Sequence, residues 1–330
     1  MGDYSGVRVL VTGASGFLGS HASDSLVSRG ADVHVFIRNT SSTALLADVK
    51  DRIAFHYGDL TDYGSLLGCF QSSKPEIVFH LAGDASARRS EGGWNAVRAS
   101  IETNLLGTIN VLRAASESEG VESVVRVGGL EEYGHSPTPF RELNREQPVS
   151  AYSAAQVAAA HFCQALQPDL AFQVVTIRPA LVYGPRQGQR FFIPQLIESC
   201  LSGTDFDMTD GTQSRDIVYV DDVVDGLMLA GMKDDQRGAV INLSSGREHA
   251  ISEIAEQVVR LTGSSIQLRR GSRPTHHSDL RHLVGSTDHA ERTIGWRART
   301  SMREGLERTV QWHMRQRNVD KDASFARVES

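Results

Sequence analysis

The chain has little cysteine, no long apolar run and no surplus of positive charge. Its three cysteines, Cys69, Cys163 and Cys200, are odd in number, far apart and outside any metal-ligand spacing. That pattern argues against a disulfide framework or a zinc site, and the expectation is reduced buried thiols in a cytoplasmic protein with no bound metal. No stretch approaches the roughly 20 apolar residues a membrane span needs. No charged-then-apolar leader precedes the first predicted strand. Met1-Gly2 opens like a myristoylation signal, but Gly6 stands where that signal requires Ser or Thr. Lys and Arg number 34 against 40 Asp and Glu, a net charge of −6. General nucleic-acid binding rests on many cations neutralising phosphates, so this balance argues against it, and an anionic small substrate would need a local cluster of arginines. Neither an internal repeat nor a low-complexity tract occurs, and the charged tail after Val319 is expected to fray. With 330 residues, 40% hydrophobic and 22% charged, the chain suits one large or two modest globular domains.

What the chain does have begins at Val7. The apolar run Val7-Arg8-Val9-Leu10-Val11-Thr12 meets Gly13, Gly16 and Gly19, spaced three apart, and a helical pattern follows at once. A buried strand turning sharply into a helix N-terminus is a phosphate-binding junction. Glycine lets the backbone approach a ligand, and the first helical turn offers unpaired N–H groups and the positive end of its dipole. The first gap is one residue longer than in the G-x-G-x-x-G fingerprint. Its place after the first strand and before a helix still marks a dinucleotide pyrophosphate site.

The rest alternates. Residues 21–29 read as an amphipathic helix stopped by Gly30, and 31–37 as the second strand. A dinucleotide fold reads the adenosine ribose at the end of that strand, with an acid for NAD or an arginine for the 2′-phosphate of NADP. Here Ile37 takes the acid position and Arg38, Asn39, Thr40 and Ser41 follow, which favours NADP. Residues 53–57 form a third strand closed by Gly58-Asp59-Leu60-Thr61-Asp62, where an Asp can meet the adenine amino group. Strands follow at 75–81, 121–127 and 172–178, one long helix at 94–116 carries Asn104, and an alanine-rich helix opens near Ser150. This pace means βαβ units in a parallel sheet, with ligands outside the carboxyl ends of the strands. Beyond Gly188 the regular alternation stops.

Taken together, these motifs resemble the extended short-chain dehydrogenase/reductases, the nucleotide-sugar epimerases, dehydratases and 4-ketoreductases. They are Thr12-Gly13-Ala14-Ser15-Gly16-Phe17-Leu18-Gly19, Gly58-Asp59-Leu60, His80-Leu81-Ala82, Asn104-Leu105-Leu106-Gly107-Thr108, Tyr133-Gly134, Arg178-Pro179, Tyr183-Gly184-Pro185, Arg215 to Asp222 and Ile294-Gly295-Trp296. The resemblance implies a Rossmann-like, doubly wound α/β domain over residues 1–180, rejoined by part of 217–245. It also implies a smaller α/β lobe, mainly 181–330, for a nucleoside-diphosphate sugar, and a homodimer. To the cofactor it assigns Gly13, Ser15, Gly16, Phe17, Leu18, Gly19, Arg38, Asn39, Asp59, Leu60, Leu81, Ala82, Gly83, Asn104 and Pro179. Within the family, Val127 to Gly134 is most similar to the loop of the 4-keto-6-deoxysugar reductases, implying reduction at sugar C4 with NADPH; a C4 epimerase with retained NAD is the alternative.

Family chemistry uses a Ser or Thr, a Tyr and a Lys. Tyr152 stands at the Tyr position, Gln156 replaces the Lys four residues on, and Gly129 replaces the Ser or Thr. Residues four apart share a helix face, which explains the spacing of the pair. A neutral amide gives no Coulombic help to a tyrosinate, and tyrosine's ordinary pKa is about 10. Three explanations stand. Glu131 or Glu132 shares the proton transfer, as a glutamate in this loop does in the 4,6-dehydratases, although Leu130 replaces the dehydratase aspartate. Or the chain binds without efficient turnover, or it is an active-site variant. For the sugar nucleotide the resemblance points to Arg215 as a diphosphate contact, with Arg186, Arg190, Arg273 and Arg281 as weaker candidates and Asp84, Ala85 and Ser86 lining the hexose side.

Overall fold

The computed structural model describes residues 3–84, 93–276 and 279–328, with only the backbone of 319–328. In chain order the first half runs β1 (Arg8–Thr12), α1 (Phe17–Ser28), β2 (Asp32–Ile37), β3 (Ile53–Tyr57), α2 (Tyr63–Ser73), β4 (Ile77–His80), α3 (Gly93–Ser100), α4 (Gly107–Ser116), β5 (Ser123–Val127), α5 (Ala151–Leu166) and β6 (Gln173–Pro179). The second half runs β7 (Leu181–Tyr183), α6 (Phe192–Ser202), β8 (Phe206–Asp207), β9 (Ser214–Arg215), β10 (Ile217–Tyr219), α7 (Val220–Met232), β11 (Val240–Leu243), β12 (His249–Ala250), α8 (Ile251–Thr262), β13 (Leu268–Arg269), α9 (Asp288–Ile294) and α10 (Met302–Val328).

Seven parallel strands form one sheet in the order β11-β6-β5-β4-β1-β2-β3. Parallel strands covered on both faces read as apolar runs, and alternate residues divide between the two faces. Val9, Val11, Val125 and Val175 pack on one face with Leu26 of α1 and Leu227 of α7. Leu10, Val78, Val124 and Val174 pack on the other with Phe70 of α2, Leu112 of α4 and Cys163 of α5. The fold is therefore Rossmann-like and doubly wound. Chain order reverses at β1, whose neighbours are β2 and β4, so the crevice for a ligand opens above β1 and β4. Residues 240–243 supply the edge strand β11, beside β6.

Two local features shape the helices around the crevice. The helical run from 93 to 116 is continuous but contains a π turn at Ile101–Leu106, and Asn104 lies in it. Ser150 starts α5, as read: its Oγ accepts from Ser153 N and Ser153 Oγ accepts from Ser150 N, both at 3.1 Å. That reciprocal cap puts Tyr152 in the first turn of α5.

Candidate active site

Two of the three glycines of the first turn, Gly13 and Gly19, are enforced by close backbone approach. Gly13 has φ +72, and a Cβ there would lie 2.5 Å from Ala82 N; a Cβ on Gly19 would lie 2.2 Å from Gly13 O. Gly16 N donates to Gly13 O at 3.0 Å. Gly16 caps α1 without a side-chain bond, and the first turn holds no acid. The N–H groups there are uncompensated, with Ser15, Phe17 and Leu18 half-buried around them, so the cradle fits a pyrophosphate.

A buried chain of hydrogen bonds sets the β4 edge of the crevice. Thr108 Oγ1 donates to Asn104 O at 2.7 Å and so accepts from His80 Nε2, 3.1 Å away. Thr12 Oγ1 accepts from Ala82 N at 3.3 Å and donates to His80 Nδ1 at 2.8 Å. The His80 ring is thus neutral and fully partnered. Burial, with the charge of Arg126 adding to it, pushes its pKa down to about 3.

Asn104 departs from its expected cofactor contact. Its Oδ1 accepts from Asp84 N and its Nδ2 donates to Asp84 O, each at 2.8 Å, and to Ser100 Oγ at 2.9 Å. Buried and committed to those bonds, it holds Leu81, Ala82, Gly83 and Asp84 in place from behind. Ala85 and Ser86 lie outside the described residues.

Tyr152 and Gln156 share one face of α5. Tyr152 is 8% exposed and packs against Ala96 of α3 and Ala151; Gln156 is 5% exposed. A Cβ on Gly83 would lie 3.9 Å from Gln156 Nε2, so the amide reaches the crevice loop. From beneath, Arg126 of β5 donates through Nη2 to Gln156 Oε1 and, at 3.4 Å, to Gln156 O. This contact of Arg126 with Gln156 is one the motif reading missed. Its signal was a lone charge in the apolar strand Ser-Val-Val-Arg-Val.

The β5 end separates the two glutamates. Glu132 is buried: its Oε1 accepts from Gly129 N at 2.9 Å, and its Oε2 accepts from Arg178 Nε at 2.8 Å. Arg178 donates also to Glu146 Oε1 at 2.9 Å and lies 4.6 Å over the Tyr133 ring. Burial opposes its charge, yet these partners raise its pKa. Tyr133 donates to Asn242 Oδ1 at 2.9 Å and is a core residue. Glu132 is therefore fixed in structure, whereas Glu131, the other carboxylate of this loop, is half-buried. At Gly129 a Cβ would meet nothing closer than Pro179 O at 4.0 Å, so no backbone demand explains this glycine. Pro179 itself ends β6, fully buried.

At the far rim Arg38 and Asn39 are exposed beyond β2, where Ile37 is buried. Asp59 accepts from Thr61 N and Oγ1, which hold its pKa low, helped by the Arg38 charge. Asp62 is spent capping α2 through Gly64 N and Ser65 N. Leu60 is buried against Gly107.

Of the candidate arginines, Arg215 is half-buried; burial lowers its pKa while Asp279, Glu131 and Glu248 raise it, which puts it in the field of the β5 loop. Asp216 beside it is committed to Ser244, Ser245 and Gly246. Arg186 is ion-paired: it binds Asp24 of α1 at 2.6 Å and reaches Asp48 at 3.5 Å. Arg190 is exposed over the Phe191 ring, and Arg281 is exposed. Arg273 lines a separate cavity of about 280 Å³ with Gln195, Glu198, Asp205 and Phe206.

A model described as the NAD dependent epimerase/dehydratase family matches residues 9–244. The chain belongs to this family. Among relatives, it is similar to the UDP-glucose 4-epimerase of Mycolicibacterium smegmatis, 31% identical over 93% of this chain and 98% of that one. It is also similar to the dTDP-D-glucose 4,6-dehydratase of Bos taurus, 29% identical over 93% of this chain and 88% of that one. Among solved structures, MoeE5 in complex with UDP-glucose and NAD has TM-score 0.84 at 31% identity, covering 94% of this chain and 99% of that one. The epimerase/dehydratase family is one of enzymes dependent on NAD and acting on nucleotide sugars. These relatives are epimerases and dehydratases, so family membership is established while a special closeness to the 4-ketoreductases is not.

Proposed function

We propose that the protein inverts the configuration at C4 of a nucleoside-diphosphate hexose, using NAD seated above β1 and β4. The observation that carries this is the pair Tyr152 and Gln156 on one face of α5, beside the loop that Gly13 and Asn104 hold in place. The dinucleotide, when bound, supplies hydride acceptance and return at C4. Tyr152 takes the C4 hydroxyl proton as the ketone forms and gives it back on reduction from the other face, so the net reaction is redox-neutral. Gln156 donates to the nicotinamide ribose, the uncapped turn of α1 holds the pyrophosphate, Asp59 meets the adenine, Arg215 meets the sugar diphosphate, and residues 181–330 supply most of the sugar-nucleotide lobe. Leu130 is buried in the core where a dehydratase aspartate would stand, which favours epimerisation over dehydration.

A second reading is reduction of a 4-keto-6-deoxy sugar nucleotide with NADPH. It is favoured by exposed Arg38 beside a buried Ile37, which puts a cation rather than an acid at the end of β2. Incubation with NAD and UDP-, dTDP- and GDP-hexoses should interconvert one pair of C4 epimers. No exchange with any of them, together with NADPH consumption on a 4-keto sugar nucleotide, would replace the first reading with the second.

A further inference from the structure

We propose that Arg126 and Gln156 act together in place of a single lysine, the guanidinium supplying the charge and the amide it holds presenting NH2 to the cofactor crevice. The inference rests on the dinucleotide reading above.

Arg126 occupies an expensive position. It is 1% exposed in the middle of β5, and among the described residues it has no ion pair. Its Nη1 has no hydrogen-bond partner, and its Nη2 bonds only to the side-chain and main-chain oxygens of Gln156. The carboxylate nearby, Glu132, is already committed to Arg178 and to Gly129 N, so Arg126 is a buried cation without a carboxylate of its own, a costly arrangement. Its charge is felt nearby. Burial sets the pKa shifts of His80 and Cys163, and the field of Arg126 pulls both downward.

The contact also decides which way the amide points. A guanidinium has donors and no acceptor, so only the oxygen of Gln156 can face it. The NH2 is then turned outward toward Gly83. A donor group backed by a positive charge therefore meets the crevice at the fourth residue after Tyr152. A lysine at 156 would do this alone, but beside Arg126 it would oppose two cations in a buried site and remove the side-chain acceptor that Arg126 has. The charge can reside at 126 or at 156, not at both.

The test compares the full-length protein with Arg126→Met, Gln156→Lys and the double variant. The readouts are melting temperature without ligand and calorimetric affinity for NAD and NADP. Gln156→Lys alone should melt on the order of 5 °C lower and bind the dinucleotide more weakly. Arg126→Met should weaken binding about tenfold without lowering the melting temperature, since a costly buried charge is removed. The double variant should recover both properties, a reversal that simple loss of packing would not produce. Should Arg126→Met fail to fold, Arg126→Lys, which keeps the charge, should stay within about threefold of the original affinity. The proposal is overturned if Gln156→Lys alone melts and binds like the unaltered protein, or if Arg126→Met leaves affinity unchanged. If the unaltered protein binds neither dinucleotide, the cofactor reading and the amide's role in it both fail, while the melting temperatures still decide whether the charge exchanges between the two positions.

Discussion

Gly128 and Gly129 are adjacent and opposite in character. A Cβ on Gly128 would fall 1.8 Å from Glu132 Oε1, a carboxylate pinned by Arg178 and unable to swing away. Gly128→Ala should cost about 2–4 kcal/mol, read as a fall in melting temperature. Gly129 has room, so Gly129→Ser should melt as before and raise kcat about tenfold or more by restoring a hydrogen-bond donor at the reacting oxygen. His80 gives a pH signature. Its folded pKa of about 3 lies below the unfolded value of about 6.5, so the unfolded chain binds the proton first. Its contribution is present above pH 6.5 and is lost as pH falls toward 3, with a slope approaching about 1.4 kcal/mol per pH unit. Urea titrations from pH 7 to 4 should show this slope for the unaltered protein and a shallower one for His80→Gln. Single residues were unevenly legible. The glycines of the first turn could be read from spacing because local backbone geometry fixes what they do, and Tyr152 from its resemblance to a family motif. The partners of Arg126, Glu132 and Asn104 could not, since sheet order, not sequence distance, brings Gln156, Arg178 and Asp84 to them.

At the scale of elements, the π turn at Ile101–Leu106 and the loop after β4 act as one piece. The turn aims Asn104 so that its amide closes on both backbone groups of Asp84. Asn104→Ala should remove both of those hydrogen bonds, lower stability by about 1–3 kcal/mol and weaken dinucleotide binding about tenfold by releasing the loop. Calorimetric titration and thermal melts of the same variant check both. Apolar runs ending at glycine or at a polar turn marked β1 to β6 well, and the third strand falls on residues 53–57 as read. The π turn had no such mark, because its extra residue leaves the hydrophobic face of 94–116 nearly continuous.

The whole molecule is less divided than its sequence texture suggests. The cluster containing Val9, Val125 and Ile177 in the sheet continues through Leu227 and Trp296 to Leu196, Phe206 and Ile254 around β8, α6 and α8. The indole of Trp296 donates to Asp222 O at 2.7 Å, and Asp222 accepts from Arg299 N and Thr300 N, which ties α7 to the segment before α10. Scanning calorimetry should therefore show one cooperative transition, with two resolved transitions expected if the lobe had a core of its own. The lobe was poorly legible because its two-residue strands, β8, β9, β12 and β13, are too short to show a hydrophobic period. Of its candidate arginines, Arg215 lies in the field of Glu131, and Arg186 is ion-paired to Asp24. The most direct measurement is incubation of a nucleoside-diphosphate hexose deuterated at C4 with the protein and NAD, followed by NMR of the product. Inverted C4 with its deuterium retained is the expected result; sugar recovered without inversion would contradict the proposed C4 chemistry.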